Sequence, residues 1–324
     1  MDRAALSRTN LIRSAGAPSD DPRVHVTLAG LRALELPARK LSLTARQHAR
    51  SALNGRHGSR IRGRGLDFLE LRDYLPSDDV RAIDWKVTAR TGKPHVRVFT
   101  EERDRPTLIV VDQRMSMFFG TVRNMKSVTA AEAAAITAFR VLAQGDRVGG
   151  IIFDDTRIAE IRPRRDHATL DRFLNALTRA NQQLHATRDV IDPLALNDVL
   201  RAVHRIAKRD HLVIVLSDFD QIDDQTQHLM AGLSRRNDLV LGLVTDPSAH
   251  ALPTDTRLTA SDGALQAELD LSDDTVRQNV LTYAQDRLAR VEDWQKHMRL
   301  SALPLSTAQD TLTQMRHLLG LGPT

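Results

Sequence analysis

The chain has 324 residues, with 46 Lys and Arg against 41 Asp and Glu, 12 His and no Cys; 41% of its residues are hydrophobic and 27% charged. Disulfides, thiolate metal sites and cysteine nucleophiles are therefore excluded, and the length suits one domain with a substantial extension. The formal charge of +5 is spread over interleaved signs and aromatics are only 4%, which argues against a nucleic-acid partner.

Residues 1–23 mix Ser, Asp, Pro and Gly with charge and no apolar rhythm, so a flexible tail is expected. The early charges fit no secretory signal, and no stretch approaches the roughly 18 apolar residues of a bilayer span, so a soluble, cytoplasmic protein is expected. An N-terminal extension then runs over residues 24–105. Helical spacing from Val24 to about Leu53, broken at Pro37, predicts a helical hairpin. The Arg and Gly-rich connector GRHGSRIRGRG follows at 55–65, read as a flexible link, with weak nucleic-acid binding as its alternative. Beyond it PHVRVF alternates like a strand, Pro76 with Ser77 and Asp78 marks a turn, and the rest is expected to be irregular or short-stranded.

The grammar changes over 106–250. TLIVVD from Thr107 is a continuous β-branched run of the kind found in buried parallel strands, and it ends on Asp112. An Ala-rich helix is predicted from Val122 to Ala143, stopped by Gly145 before a second buried run, RVGGIIF. TRIAEI reads as a strand, 166–180 and 193–208 as helices, HLVIVLSD as a strand ending on Asp218, 223–235 as a helix, and DLVLGLVTD as a strand ending on Asp246. Strands separated by helices specify a doubly wound, mostly parallel α/β sheet, whose carboxyl edge is where ligands bind. Residues 251–324 should add a hairpin and helices packed on this core. There Ser272 is expected to cap a helix with the apolar stripe Val276, Val280, Ala284, Leu288, Val291, Trp294 and Met298, and a last helix should end near Gly320.

The loop DQRMSMFFG at 112–120 resembles the Asp-x-Ser-x-Ser layout of a metal-ion-dependent adhesion site, in which Asp112, Ser116 and Asp218 would give oxygens to Mg²⁺. Arg114 stands where a ligating Ser belongs. A guanidinium only donates hydrogen bonds and repels a divalent ion, so the reading favours no functional metal. If Arg114 points inward, it should pair with Asp112 or Asp218 and occupy the place of the ion; if it points outward, Asp112, Ser116 and Asp218 are left to hold a hydrated Mg²⁺ weakly. GTVRNMKS at 120–127 imitates a phosphate loop, but Met125 replaces the glycine such a loop needs, which leaves a helix start with a solvent-facing Lys126. Asp223 and Asp224 are expected to serve a helix start, leaving Asp218 to face Asp112.

The densest block is GRGLDFLELRDYLPSDDVRAIDWKVTAR at 63–90. Its alternating signs suggest Arg and carboxylate pairing around aromatic anchors, giving an interaction surface built from Arg72, Tyr74, Asp78, Asp79, Arg81, Asp84, Trp85 and Arg90. A metal-dependent hydrolase or nuclease using Asp78, Asp79, Asp84 or Asp112 is the alternative. The strings GRGLDF, LRDYLPSDDVRAIDW and TARTGKPHVR resemble the bacterial family called domain of unknown function fifty-eight, from about Leu28 onward. Ser77 and Arg114 depart from its pattern. The resemblance implies a von Willebrand factor A-like fold with Thr187 as the candidate for the metal-loop Thr. It also implies a non-enzymatic adaptor for a MoxR-type AAA+ ATPase, acting like a chaperone on a client protein.

Overall fold

The structure, a computed structural model, describes residues 19–39, 66–76, 78–101, 105–185, 193–249, 257–261, 266–270, 273–298 and 300–318. Most of the expected tail, the 55–65 connector and Thr187 lie outside these residues. The chain divides into two compact units, 54–104 and the remainder.

The larger unit is α/β, organised around a six-stranded, mostly parallel sheet. Its strands are β3 (Thr107–Asp112), β4 (Val148–Phe153), β5 (Ile158–Arg164), β6 (Leu212–Ser217), β7 (Asp238–Thr245) and β10 (Leu300–Ser306), placed in the order β10-β7-β6-β3-β4-β5, while β8 (Arg257–Ser261) and β9 (Gln266–Asp270) form the expected hairpin as a separate antiparallel pair. Every residue of β3, β4 and β6 is buried, which is why these runs are continuously apolar rather than alternating. Only β5 runs antiparallel, against β4, because a short turn at Asp154–Thr156 joins the two and leaves no crossover. Both edge strands carry a proline, Pro163 in β5 and Pro304 in β10, a residue that sheets admit at their margins.

Helices cover both faces. On one side α4 (Lys126–Ala143), α5 (His167–Gln182) and α9 (Thr311–Leu318) join the short α1 (Leu28–Ala33) and α2 (Glu35–Arg39). On the other lie α6 (Leu196–Ile206), α7 (Asp224–Ser234) and α8 (Asp274–His297). Helix α4 is buried nearly all round, and its alanines let it sit close to the strands. Glycine makes room for α5 in the same way. A Cβ at Gly150 would lie 2.3 Å from the Phe173 ring and 2.6 Å from the Ile109 carbonyl.

The crossover through α4 carries the chain from β3 to β4, whereas the one through α7 carries it from β6 to β7 on the opposite side. Strand order therefore reverses between β3 and β6, and a crevice opens outside their carboxyl ends.

The small unit has an antiparallel pair, β1 (Leu66–Asp73) and β2 (His95–Glu101), with an irregularity between Phe68 and Glu70. Between the strands lie a turn closed by Asp78 N–H on Leu75 C=O, one 3₁₀ turn (Val80–Ala82) and helix α3 (Trp85–Thr91). Gly92, at φ +75°, ends α3 in the left-handed conformation that glycine adopts without strain.

Several expectations need correction. The break between the first helices falls at Leu34, not Pro37, which lies in the first turn of α2 where its missing N–H is no loss. Helix α3 stands in a block expected to be irregular or short-stranded; strand β1 falls within that expectation. The ALPLST segment at 302–307, to which the sequence reading assigned no element, supplies most of β10, paired in parallel along its length with β7. Helix α8 is capped by Asp273, whose carboxylate accepts from Thr275 and Val276 N–H.

Candidate functional site

The crevice is built first by the backbone of the loop after β3. Asp112 is the last residue of that strand, in register with Phe153 of β4. One of its carboxylate oxygens accepts the Arg114 N–H at 3.0 Å, an Asx turn that starts the loop. Gln113 N–H continues toward Phe153 C=O at 2.8 Å. A 3₁₀ turn follows at Met115–Met117, anchored by two buried methionines and by Met115 N–H donating to the Asp155 carboxylate. At Gly120 the chain passes so close to itself that a Cβ would sit 2.1 Å from Asn124 C=O, so glycine is required before the loop delivers Lys126 as the first residue of α4.

Within this frame the Arg114 side chain turns inward. Its Nε lies 3.1 and 3.2 Å from the two Asp112 carboxylate oxygens and its Nη2 lies 2.8 Å from Oδ2, a two-pronged pair with side-chain exposures of 5% and 0%. The same guanidinium rests 5.5 Å from the centre of the Phe153 ring. Burial alone lowers an arginine's pKa, but the charge of Asp112 and its hydrogen bonds outweigh this and raise that of Arg114 above its ordinary value.

The second carboxylate comes from the β6 side. Ser217 donates to Asp112 Oδ2 at 2.7 Å, joining the two strand ends directly. Asp218 follows, fully enclosed. Lys126 Nζ bonds its Oδ2 at 2.5 Å, while the Ser116 hydroxyl at 3.4 Å and Asp220 N–H at 3.1 Å reach its Oδ1. Burial raises the Asp218 carboxyl, but the charges of Lys126 and Arg287 and the Lys126 hydrogen bond hold it well below the usual carboxylate range. The loop turns sharply here, with Phe219 and Gln221 at φ +55° and +56°. Such left-handed non-glycine residues cost on the order of 1–3 kcal/mol each and persist only where the surroundings fix them.

Helix α8 does some of that fixing. Arg287 lies 3.2 Å from Asp220 and 3.9 Å from Asp218, Tyr283 donates its hydroxyl to Asp220 at 2.8 Å, and Arg290 donates to Ile222 C=O at 2.9 Å. Spacings of four and three along the helix put these residues on one face. Burial and the negative charge of Asp220 push the Tyr283 phenol up to about 12.

Asp112, Asp218 and Asp220 thus meet Arg114, Lys126 and Arg287, three anions against three cations. A divalent cation needs several free oxygens. Here both Asp112 oxygens are bound to the guanidinium, Asp218 is bound to the ammonium, and two positive charges stand beside the carboxylates. The donor set does not fit Mg²⁺. Among the described residues no group of three His, Asp or Glu is arranged to hold a metal.

The approach of Asp218 to the β3 loop was legible in the sequence, whereas the inward turn of Arg114 was one of two orientations it left open. Lys126 was not: it is buried and ion-paired rather than solvent-facing. Asp220, Tyr283 and Arg287 were also missed, although the Tyr283, Arg287 and Arg290 spacing beside the apolar stripe of α8 was a signal. Asp223 is the expected cap, in a reciprocal capping box with Thr226. The third strand-end residue, Asp246, binds the Thr121 N–H and hydroxyl, the Thr307 hydroxyl and the Ser248 N–H. It ties β7 to neighbouring loops and takes no part in the cluster.

In the small unit the expected interaction residues divide. Arg72 forms a two-pronged pair with Asp78 at 2.7 Å, and Asp78 also accepts from Leu75 N–H. Asp79 caps the 3₁₀ turn and Asp84 caps α3. These acids serve local architecture and are not gathered around a common point. Tyr74 is half-buried, while Arg81, Trp85 and Arg90 are exposed. Trp85 shows 67% of its surface, and Leu71, Leu75 and Val80 are exposed near it in sequence.

Fold and site together define an open, doubly wound α/β protein with an ion-paired switch point and a small unit displaying apolar side chains. The chain belongs to the family described as protein of unknown function DUF58, whose model matches residues 70–290. That span includes every member of the ion cluster. The uncharacterized proteins Mb1516 of Mycobacterium bovis and Rv1480 of Mycobacterium tuberculosis are each 32% identical to it over 234 residues, covering 72% of this chain and 69% of each relative. No helix among the described residues is long and apolar enough to cross a membrane.

Proposed function

We propose that this chain is a non-enzymatic, cytoplasmic adaptor with a von Willebrand factor A-like core, working with a MoxR-type AAA+ ATPase on a client protein. The observation that carries the reading is the small unit's surface. Of the seven large apolar side chains exposed among the described residues, four (Leu71, Leu75, Val80 and Trp85) fall within fifteen residues of sequence. Large apolar groups left exposed at this density along the chain are candidates for contact surfaces, and Trp with flanking Arg is the composition of binding hot spots. Arg72, Asp78, Asp79 and Asp84 hold the turns rigid, so Trp85, Arg81 and Arg90 are displayed on a fixed scaffold. The larger unit is compatible with the same reading, since the described charged groups at its switch point, Asp112, Asp218 and Asp220 with Arg114, Lys126 and Arg287, are paired with one another.

The test is co-purification of the full chain with its cognate AAA+ ATPase in ATP, ADP and nucleotide-free buffers. Binding should fall at least tenfold in Trp85→Ala while the circular dichroism spectrum is unchanged. Absence of association in all three conditions sinks the proposal.

A further inference from the structure

We propose that the switch-point crevice is a cation site permanently filled by the protein's own side chains, with Arg114 and Lys126 standing where a divalent ion would. The alternative account is that the crevice simply lacks ligands. The geometry argues otherwise. Asp112, Ser116 and Asp218 converge from two strand ends, linked by the Ser217 hydroxyl on Asp112 and the Ser116 hydroxyl on Asp218. These are hard oxygens on an enclosed loop frame, the donor type that Mg²⁺ and Mn²⁺ take. What occupies them is positive charge. The guanidinium covers both oxygens of Asp112, and the ammonium covers one oxygen of Asp218.

Two fixed cations are a reasonable exchange for one divalent ion. They supply the same total charge to the same two buried carboxylates, and each is tethered by the chain rather than drawn from solution. Arg114 is attached two residues from its partner, and Lys126 by the first turn of α4. Arg287 then completes the balance from α8 by pairing with Asp220. The charge balance of the crevice is therefore indifferent to the supply of divalent ions. Its exclusion of them comes from the two cations and is reversible by substitution.

The experiment is a titration of Mn²⁺ into the full chain, followed by loss of the free-ion electron paramagnetic resonance signal and by calorimetry. Wild type should show no saturable uptake at millimolar Mn²⁺. The double variant Arg114→Ser, Lys126→Ala, which restores a ligating hydroxyl and removes both charges, should take up one ion with a Kd of about 0.1–1 mM, the range of weak oxygen-ligand sites. Adding Asp112→Asn should abolish that uptake. Saturable wild-type binding that disappears in Asp112→Asn overturns the proposal, as does a folded double variant that binds no better than wild type. If the double variant does not fold, the more conservative pair Arg114→Gln, Lys126→Gln, which also removes both charges, carries the comparison. Mn²⁺ should then raise its melting temperature but not that of wild type, and equal responses count against the idea.

Discussion

Replacing Lys126 by Met keeps most of the side chain's length and apolar stem but deletes the charge that faces Asp218. Lys126 and Asp218 have side-chain exposures of 10% and 1%, so water cannot take over the role of the ammonium. Removing one partner of a buried ion pair typically costs about 3–5 kcal/mol. The lower end applies here, about 3 kcal/mol, because Arg287 at 3.9 Å, Ser116 at 3.4 Å and Asp220 N–H at 3.1 Å still face the stranded carboxylate. With a urea m-value of about 3 kcal/mol/M, the unfolding midpoint of the larger unit should drop by about 1 M. In wild type the depressed Asp218 pKa contributes stability that is complete above the unfolded value of about 3.9 and is lost as pH falls below it. In the variant the largest influence opposing burial, the Lys126 charge, is gone, so the carboxyl rises and protonation relieves part of the cost. The deficit measured by urea titration should therefore be smaller at about pH 5 than at about pH 8, and Asp218→Asn in the same background should recover part of it. A solvent-facing lysine would cost less than about 0.5 kcal/mol. A loss that small, or one that does not shrink with acid, refutes the assignment of Lys126 to the cluster.

Asp246→Ala should cost about 2 kcal/mol or more, since it strands the Thr121 N–H and the buried Thr307 hydroxyl, and hydrogen exchange should accelerate at Thr121. Asp223→Ala should cost about 1 kcal/mol as a lost helix cap. Hydrogen bonds from Thr226 and Asn197 hold the Asp223 carboxyl at about 2, so its contribution is present above the unfolded carboxylate range and fades as pH falls toward that value. The difference between wild type and variant should accordingly narrow in acid denaturation curves. Gly150→Ala should cost about 1–3 kcal/mol by urea titration, because the Ile109 carbonyl 2.6 Å from the new methyl cannot move without shifting β3.

Much of the architecture was legible because its signals are local. TLIVVD, HLVIVLSD and DLVLGLVTD are too short for helices, too apolar for half-exposed strands, and each ends in an Asp at the edge where such sheets bind. The Arg114 substitution was likewise visible from one position, since a guanidinium cannot ligate a cation in any fold. Strand β10 escaped, and β1 was not located within a block expected to be irregular or short-stranded, for an equally physical reason. LDFLELRD mixes charges into its alternation, and LSALPLS carries a proline and serines, features of edge and two-stranded sheets that read as connection until a neighbour is found.

The sequence by itself determined the Asp-tipped strands of the main sheet and most of the helices between them, because each depends on residues within one or two turns of each other, and its lack of Cys excluded cysteine chemistry. Only the tertiary structure decided what fills the crevice. Lys126 lies 92 residues from Asp218, and Arg287 lies 67 residues from Asp220. Such pairs are selected by strand order and by the docking of α8, and buried charges must find opposite partners wherever the fold brings them. A lysine at a helix start looks the same on paper whether it faces water or a buried aspartate. In this protein the reversal of strand order between β3 and β6 turns it inward.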